Sequence, residues 1–281
     1  MIRISNYSLN YSRLLSQGRL NIFDFLTLCR KLDLEGASLH LQNLPELGTD
    51  YLKRLRRAYL DQGLSMAIFT VSTDFGQAAE RHPKELEKAR EAIRAAVFLG
   101  APLLRVFPGS PASEPERERA FERAAGGVRR VCEEAGQAGL PVGLQNHNHL
   151  ALCRTGEEVI RFIKMVDHPN LTFVLDTGQW AGSRGASGET PPALRGADFL
   201  ESIRQTAPLA RYVRVKFYNP APDGSEPWIP YDQVFNILRG VHYGGFVDIV
   251  YEPGKGGQPG EDIAQAMPRI VGFLRRKIRA A

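Results

Sequence analysis

The sequence predicts a single-domain α/β protein, a (β/α)8 or TIM barrel spanning residues 1–281, and two observations carry that prediction. Apolar runs of strand length alternate with helix-period segments eight times along the chain, which favours a closed parallel barrel over an open sheet. Four strand-like segments of the second half each end in a polar residue: Gln145 in PVGLQNHNH, Asp176 in LTFVLDTGQW, Lys216 in YVRVKFYN and Glu252 in FVDIVYEPG. Polar groups converging from the C-terminal ends of separate strands are how such a barrel builds an active site.

The strands are expected at residues 2–5, 36–40, 66–71, 103–107, 142–146, 172–176, 212–217 and 246–252. Helices between them begin near Asn21, Thr49, Pro83, Pro115, Thr155, Ala197, Tyr231 and Glu261. Asn21 is placed to cap IFDFLTLCRKL, and Thr155 followed by Glu158 has the spacing of a capping box. Pro268 inside the last helical pattern predicts a kink or a restart, because proline lacks a backbone donor and clashes with the preceding turn. Two longer connections, residues 181–192 and 219–230, leave the C-terminal ends of the sixth and seventh strands, where barrel enzymes place substrate loops. Trp180, Tyr218 and Trp228 flank them and point to a binding role.

Composition limits the function classes. Hydrophobic residues at 43% and charged residues at 24% are the ordinary balance of a globular protein with a large core. No run approaches the roughly 20 apolar residues that span a bilayer, and Met1 leads straight into IRISNYSLN, so no membrane association and a cytoplasmic location are expected. Cys29, Cys132 and Cys153 are odd in number and far apart, which fits buried thiols in a reducing compartment. The net charge of +5 owes much to cations such as Arg275, Arg276, Lys277 and Arg279 in the last helix, where the helix dipole favours them, and no nucleic-acid partner is inferred.

Side chains alternate across a strand, so parity selects the residues lining the barrel. In the seventh strand Val213, Val215 and Phe217 suit the helix layer, which turns Tyr212, Arg214 and Lys216 inward. By the same rule Ser38 and His40, Arg105, Gln145 and His147, Asp176 and Glu252 face the interior. Charges at such positions are costly unless paired. A self-neutralising salt-bridge layer would satisfy them, but their concentration at strand ends beneath aromatic loops favours a site for a polar substrate.

At these segments the chain resembles the xylose isomerase-like TIM barrels, the sugar phosphate isomerase/epimerase family. VGLQNHNH is similar to that family's Glu-Asn-His strand end, VLDTGQW to its Asp-x-x-His segment, VRVKFY to its His-x-Lys strand and YEPG to its terminal Glu. The resemblance implies a divalent cation held by Glu, Asp, His and Glu, positions that fall on Gln145, Asp176, Arg214 and Glu252. Gln179 stands where a substrate-contacting histidine is implied. A carboxylate has become Gln145 and a neutral imidazole has become Arg214, together a change of +2, the charge of the cation. Guanidinium has no lone pair for a metal but can bond Asp176 or Glu252, so no cofactor is expected, with Arg214 and Lys216 in the cation's place. The alternative is a weakly bound Mg2+ or Mn2+ on Gln145, Asp176 and Glu252.

The resemblance implies proton transfer next to a carbonyl of a sugar, polyol or keto-sugar. Glu252 would be the base, Lys216 and Arg214 the oxyanion partners and His147 a second proton donor or acceptor; Gln145, Asp176, Gln179, Arg214, Trp180, Tyr218, Arg105 and His40 would bind the substrate. A cation paired with Glu252 would weaken it as a base, and Lys216 is equally readable as a buried partner of Asp176. His149 is left out of the site. Two other functions stay open: a non-catalytic carbohydrate-binding or accessory protein, and an abasic-site endonuclease, which the six histidines, few at strand ends, disfavour. Specificity would be read by Trp180, Arg184, Tyr218, Asn219 and Trp228; whether the substrate is phosphorylated stays open, since Arg105 with residues 107–113 could form an anion pocket but FPGSPAS lacks a phosphate-loop pattern. Relatives of this class often pair their barrels, which leaves a homo-oligomer an open expectation.

Overall fold

The computed structural model describes residues 1–149, 152–255 and 260–279. Eight parallel strands close into a barrel in chain order: β1 (Arg3–Tyr7), β2 (Gly36–His40), β3 (Ser65–Thr70), β4 (Leu104–Val106), β5 (Val142–Gln145), β6 (Leu171–Asp176), β7 (Ala210–Phe217) and β8 (Phe246–Tyr251). Closure is made by β1 on β8, with Arg3 opposite Phe246 and Ser5 opposite Asp248. Outside run α1 (Ser12–Ser16), α2 (Ile22–Lys31), α3 (Thr49–Asp61), α4 (His82–Leu99), α5 (Arg117–Gln137), α6 (Gly156–Val166), α7 (Phe199–Thr206), α8 (Tyr231–Gly240) and α9 (Ile263–Arg279).

The helices form where an apolar stripe meets a cap. In α2, Ile22, Phe25, Leu26 and Cys29 recur at helical spacing and are buried, each large side chain worth about 1.5–3 kcal/mol removed from water. Asn21 caps it and Asp24 returns the bond, a complete capping box. At α6 the box is only half made. Thr155 accepts from the Glu158 amide, but the Glu158 carboxylate bonds the Arg154 amide and the Arg117 guanidinium instead of returning to Thr155. The helix does not restart at Pro268: α9 runs through it, the proline lying in the second turn, where it forgoes one backbone bond. Helix α1 was not anticipated, being five residues long and too short for a period.

The two faces of each strand separate as parity requires. Phe173, Leu175, Val213, Val215 and Phe217 join the layer between barrel and helices, with all three cysteines. Inside, Ala67, Ile68, Leu103, Val174, Tyr212 and Phe246 form a separate apolar cluster at the N-terminal end of the barrel. Gly36 is required there, since a Cβ would lie 2.8 Å from the Phe246 ring. Among the described residues no helix is long and apolar enough to cross a membrane.

Candidate functional site

Above the apolar cluster the barrel interior turns polar, and its lower polar layer is organised around Asp248. This fully buried carboxylate accepts from Ser5 Oγ at 2.8 Å and Ser38 Oγ at 2.7 Å on Oδ1, while Arg214 Nη2 lies 3.4 Å from Oδ2. The Tyr212 hydroxyl joins both serines. Strand register sets Arg214 opposite Asp248 in the β7–β8 ladder and opposite Asp176 in the β6–β7 ladder, and its guanidinium reaches Asp248. Arg214 therefore faces inward as expected but does not reach Asp176 or Glu252 as its ion-pair partner. Its guanidinium lies over the Tyr7 ring at 3.9 Å, and the Tyr7 hydroxyl accepts from Arg105 Nη2 at 2.9 Å.

One layer higher, Lys216 makes the contacts that the sequence shared between two cations. Its Nζ lies 2.8 Å from Glu252 Oε1 and 3.4 Å from Asp176 Oδ2, with the side chain 2% exposed. Asp176 is fixed from three further directions: Gln145 Nε2 donates to Oδ2 at 3.1 Å, the Gly178 amide donates to Oδ1, and Asn146 clamps its backbone. Gly178 must be glycine, as a Cβ would fall 2.7 Å from the Lys216 side chain. Burial opposes the Lys216 charge, but Asp176 and Glu252 outweigh it and hold the ammonium above its ordinary range. Burial likewise pushes Glu252 up, yet Lys216 and then Lys255 hold that carboxyl down at about 2.

Two histidines border this cluster as neutral donors. The His147 Nδ1 accepts from the His149 amide at 3.2 Å, which leaves Nε2 carrying the proton. Burial, followed by the neighbouring Lys216 charge, lowers His147 to about 3. His40 is arranged in the same way, with Nδ1 accepting from the Gln42 amide and Nε2 3.0 Å from Ser72 Oγ; burial and the Arg105 charge keep it well below its usual range. The Phe107 ring joins this wall, 4.1 Å from the Arg105 guanidinium on one side and edge-on to His147 at 5.2 Å on the other.

The loop after β6 closes over Glu252. Ser187 Oγ lies 3.5 Å from Glu252 Oε2, 3.2 Å from Gln179 Nε2 and 3.3 Å from Lys255 Nζ, and the Ser187 amide donates to Gln179 Oε1. Gln179 is thereby engaged at both amide atoms. Two aromatic expectations need correcting. Trp180 is fully buried against Phe173 on the helix side of β6 and serves the core. Tyr218 is also fully buried: its hydroxyl donates to the Gly178 carbonyl and its ring packs on Trp228 and Gly185, so it supports the loop from below. Arg184 covers Trp228 at 4.6 Å, and Asn219 bonds the Lys255 carbonyl.

The donor set does not fit a divalent cation. Of the four positions that the family uses, Gln145 and Arg214 bring no negative charge, and the carboxylates of Asp176 and Glu252 share the Lys216 ammonium. Among the described residues no three His, Cys, Asp or Glu side chains converge. Gln145 Oε1 is buried without a partner, an acceptor suited to a substrate hydroxyl. A cavity of about 840 Å3 opens at the opposite end of the barrel, lined by Arg3, Arg211 and part of the apolar cluster, with no acidic residue among those described; the N-terminal face of such a barrel ordinarily serves stability.

Parity located the inward set, and several participants were not anticipated. Asp248 shares the parity of Glu252 and was legible by the same rule, Asn146 lies inside the quoted QNH segment, and Tyr7 fell beyond the expected end of β1. Ser187 and Lys255 depend on loop geometry.

No functionally curated protein matches the chain in sequence. Solved structures similar in fold include a D-psicose 3-epimerase from Clostridium cellulolyticum H10 with D-tagatose, at 15% identity and TM-score 0.77 over 99% of both chains. A 3-keto-D-glucoside 4-epimerase from E. coli matches at 17% and 0.74 over 98% of this chain and 100% of that one. A probable 3-DHS dehydratase from Bacillus anthracis matches at 18% and 0.73, covering 98% and 99%. At these identities the likeness is one of fold. The model of the xylose isomerase-like TIM barrel family matches residues 26–276, and the closed eight-strand barrel agrees with it, so the chain belongs to that family.

Proposed function

We propose that this protein is a sugar or keto-sugar isomerase or epimerase that transfers a proton next to a carbonyl without a divalent cation, Lys216 standing in the cation's place. One observation carries the reading: Lys216 Nζ bridges Glu252 and Asp176, while Arg214 is turned to Asp248. The epimerase activities of the structural neighbours support the reaction class, and a small-molecule carbohydrate is the matching ligand.

Abstracting a proton next to a carbonyl needs a base for the carbon acid and a donor for the growing enolate oxygen. Glu252 Oε2 is the base, since its contacts at 3.5 Å and 3.9 Å are the loosest of the two carboxylates. Lys216 supplies positive charge, and neutral His147 offers its Nε2 proton to the substrate oxygen. As negative charge grows on that oxygen, Lys216 turns part of its interaction toward it. Glu252 then regains basicity as the proton moves.

The test is hydrogen exchange in D2O with chelator-treated protein and a panel of ketoses, followed by proton NMR. Exchange at the carbon beside the carbonyl, reduced about a hundredfold or more by Glu252→Gln with the fold retained, is expected. A requirement for added Mn2+ would overturn the assignment of Lys216. The low pKa of Glu252 favours a second reading, a non-catalytic carbohydrate-binding protein. Saturable sugar binding with no exchange over long incubation would select it.

A further inference from the structure

The charged groups of the barrel interior pair off with one exception. Lys216 is shared by Asp176 and Glu252, and Arg214 is matched to Asp248. Arg105, on the inward face of β4 and 1% exposed, makes no ion pair among the described residues. Its hydrogen-bond partners are neutral: the Val71 carbonyl accepts from Nη1 at 3.0 Å and the Tyr7 hydroxyl from Nη2 at 2.9 Å, while Nε is buried without a partner. Burial, joined by the neighbouring Arg214 charge, lowers its pKa to about 10 despite the opposing influence of Tyr7 and Asp176.

A guanidinium stripped of water and left without an anion is an unfavourable arrangement unless an anion arrives. The surroundings fit such a ligand. The Phe107 ring links Arg105 to the partly exposed His147, and the orphaned Gln145 Oε1 offers an acceptor in the layer above. Opposite Arg105 in the β4–β5 ladder stands Gly143, whose missing side chain makes room for Val174 and Leu103 of the apolar cluster, so the ligand must approach Arg105 from the His147 side.

We propose that the substrate carries an oxyanion group, a carboxylate or a phosphate, which Arg105 receives while Gln145 Oε1 accepts from a neighbouring hydroxyl. This deepens the reading of the barrel mouth as a keto-sugar site and rests on it. Neutral His147 offers an N–H donor beside the anion and adds no charge, while both ring nitrogens of His40 are already engaged by Ser72 and Gln42.

The experiment is a calorimetric titration at constant ionic strength with three probes: D-fructose, D-fructose 6-phosphate and 2-keto-D-gluconate. One anionic probe is expected to bind at least tenfold more tightly than the neutral sugar, and which one does so identifies the group. Arg105→Gln should abolish that advantage, Arg105→Lys should keep part of it, and the exposed Arg161→Gln should leave it intact. Should Arg105→Gln not fold, the Arg105 Nε–H resonance of the unaltered protein must still move with the anion and stay in place with D-fructose. Equal affinity for all three probes, an advantage surviving Arg105→Gln, or an unmoved resonance would overturn the inference. Because the readout is binding, an anion preference without hydrogen exchange would leave this inference standing while removing the catalytic one.

Discussion

Lys216 Nζ lies 2.8 Å from Glu252 Oε1 and 3.4 Å from Asp176 Oδ2, so one ammonium neutralises part of two carboxylates at the mouth of the barrel. In the strand ladder Lys216 stands beside Val250, and only its long side chain lets it span the ends of β6 and β8. Replacing it should change what the site admits. Lys216→Met removes the shared charge, lets the Glu252 pKa climb from about 2 and leaves two facing acids that attract a divalent ion. Mn2+ should then raise the melting temperature of the variant and leave the parent unmoved; saturation at 100 times Kd corresponds to about 2.7 kcal/mol. A parent protein that shifts equally would remove Lys216 from the cation's place.

The pair beneath it should dominate stability. Arg214→Met leaves Asp248 sealed and short of its counterion, at a cost of about 3–5 kcal/mol, and Asp248→Leu costs a similar amount by stranding the guanidinium. Combining Arg214→Met with Asp248→Leu should recover much of the loss. Urea unfolding of the three variants measures the coupling, and strictly additive losses would contradict it.

Acid should unfold the protein in two successive windows. His147 titrates near 3 when folded against 6.5 ordinarily, so the unfolded chain takes a proton that the native state refuses, and stability falls as pH drops from 6.5 toward 3. His40 adds to the same window. Glu252, lowered from 4.5 to about 2, contributes stability present above 4.5 and lost as pH falls toward 2. Urea midpoints across the range should show His40→Asn with His147→Asn flattening the upper window and Glu252→Gln the lower. An unchanged upper slope in the double variant would mean that other groups set it.

Trp180 and Tyr218 should behave as supports. Trp180→Ala is expected to cost about 3–5 kcal/mol, and Tyr218→Phe about 1–3 by stranding the Gly178 carbonyl, with ligand affinity of the folded protein within twofold of the parent. A large loss of affinity in the stable Tyr218→Phe protein would return that residue to the substrate.

The barrel was legible because period-2 and period-3.6 patterns alternate throughout, and β7 alone settled which faces point inward. Parity is a local property, and it correctly turned Arg214, Lys216, Gln145, Asp176 and Arg105 toward the axis. Which of two ladder neighbours a long side chain reaches depends on its competitors across the barrel, which single segments do not encode: Arg214 stands between Asp176 and Asp248 and pairs with Asp248, while Lys216 takes Asp176. Trp180 lies past the end of β6, where alternation no longer governs direction, and the turn at Gly178 carries it to the helix side.

The Arg214–Asp248 pair also makes the present charge arrangement hard to leave. Arg214→His alone would strip Asp248 of its counterion while Ser5 and Ser38 still hold its carboxylate in place. Gln145→Glu alone would set a third acid against Asp176 and Glu252 with one ammonium to serve them. Each of these single changes would leave a buried charge without its partner, so positions 145, 214 and 248 are tied to one another through their ion pairs and can be exchanged only as a set.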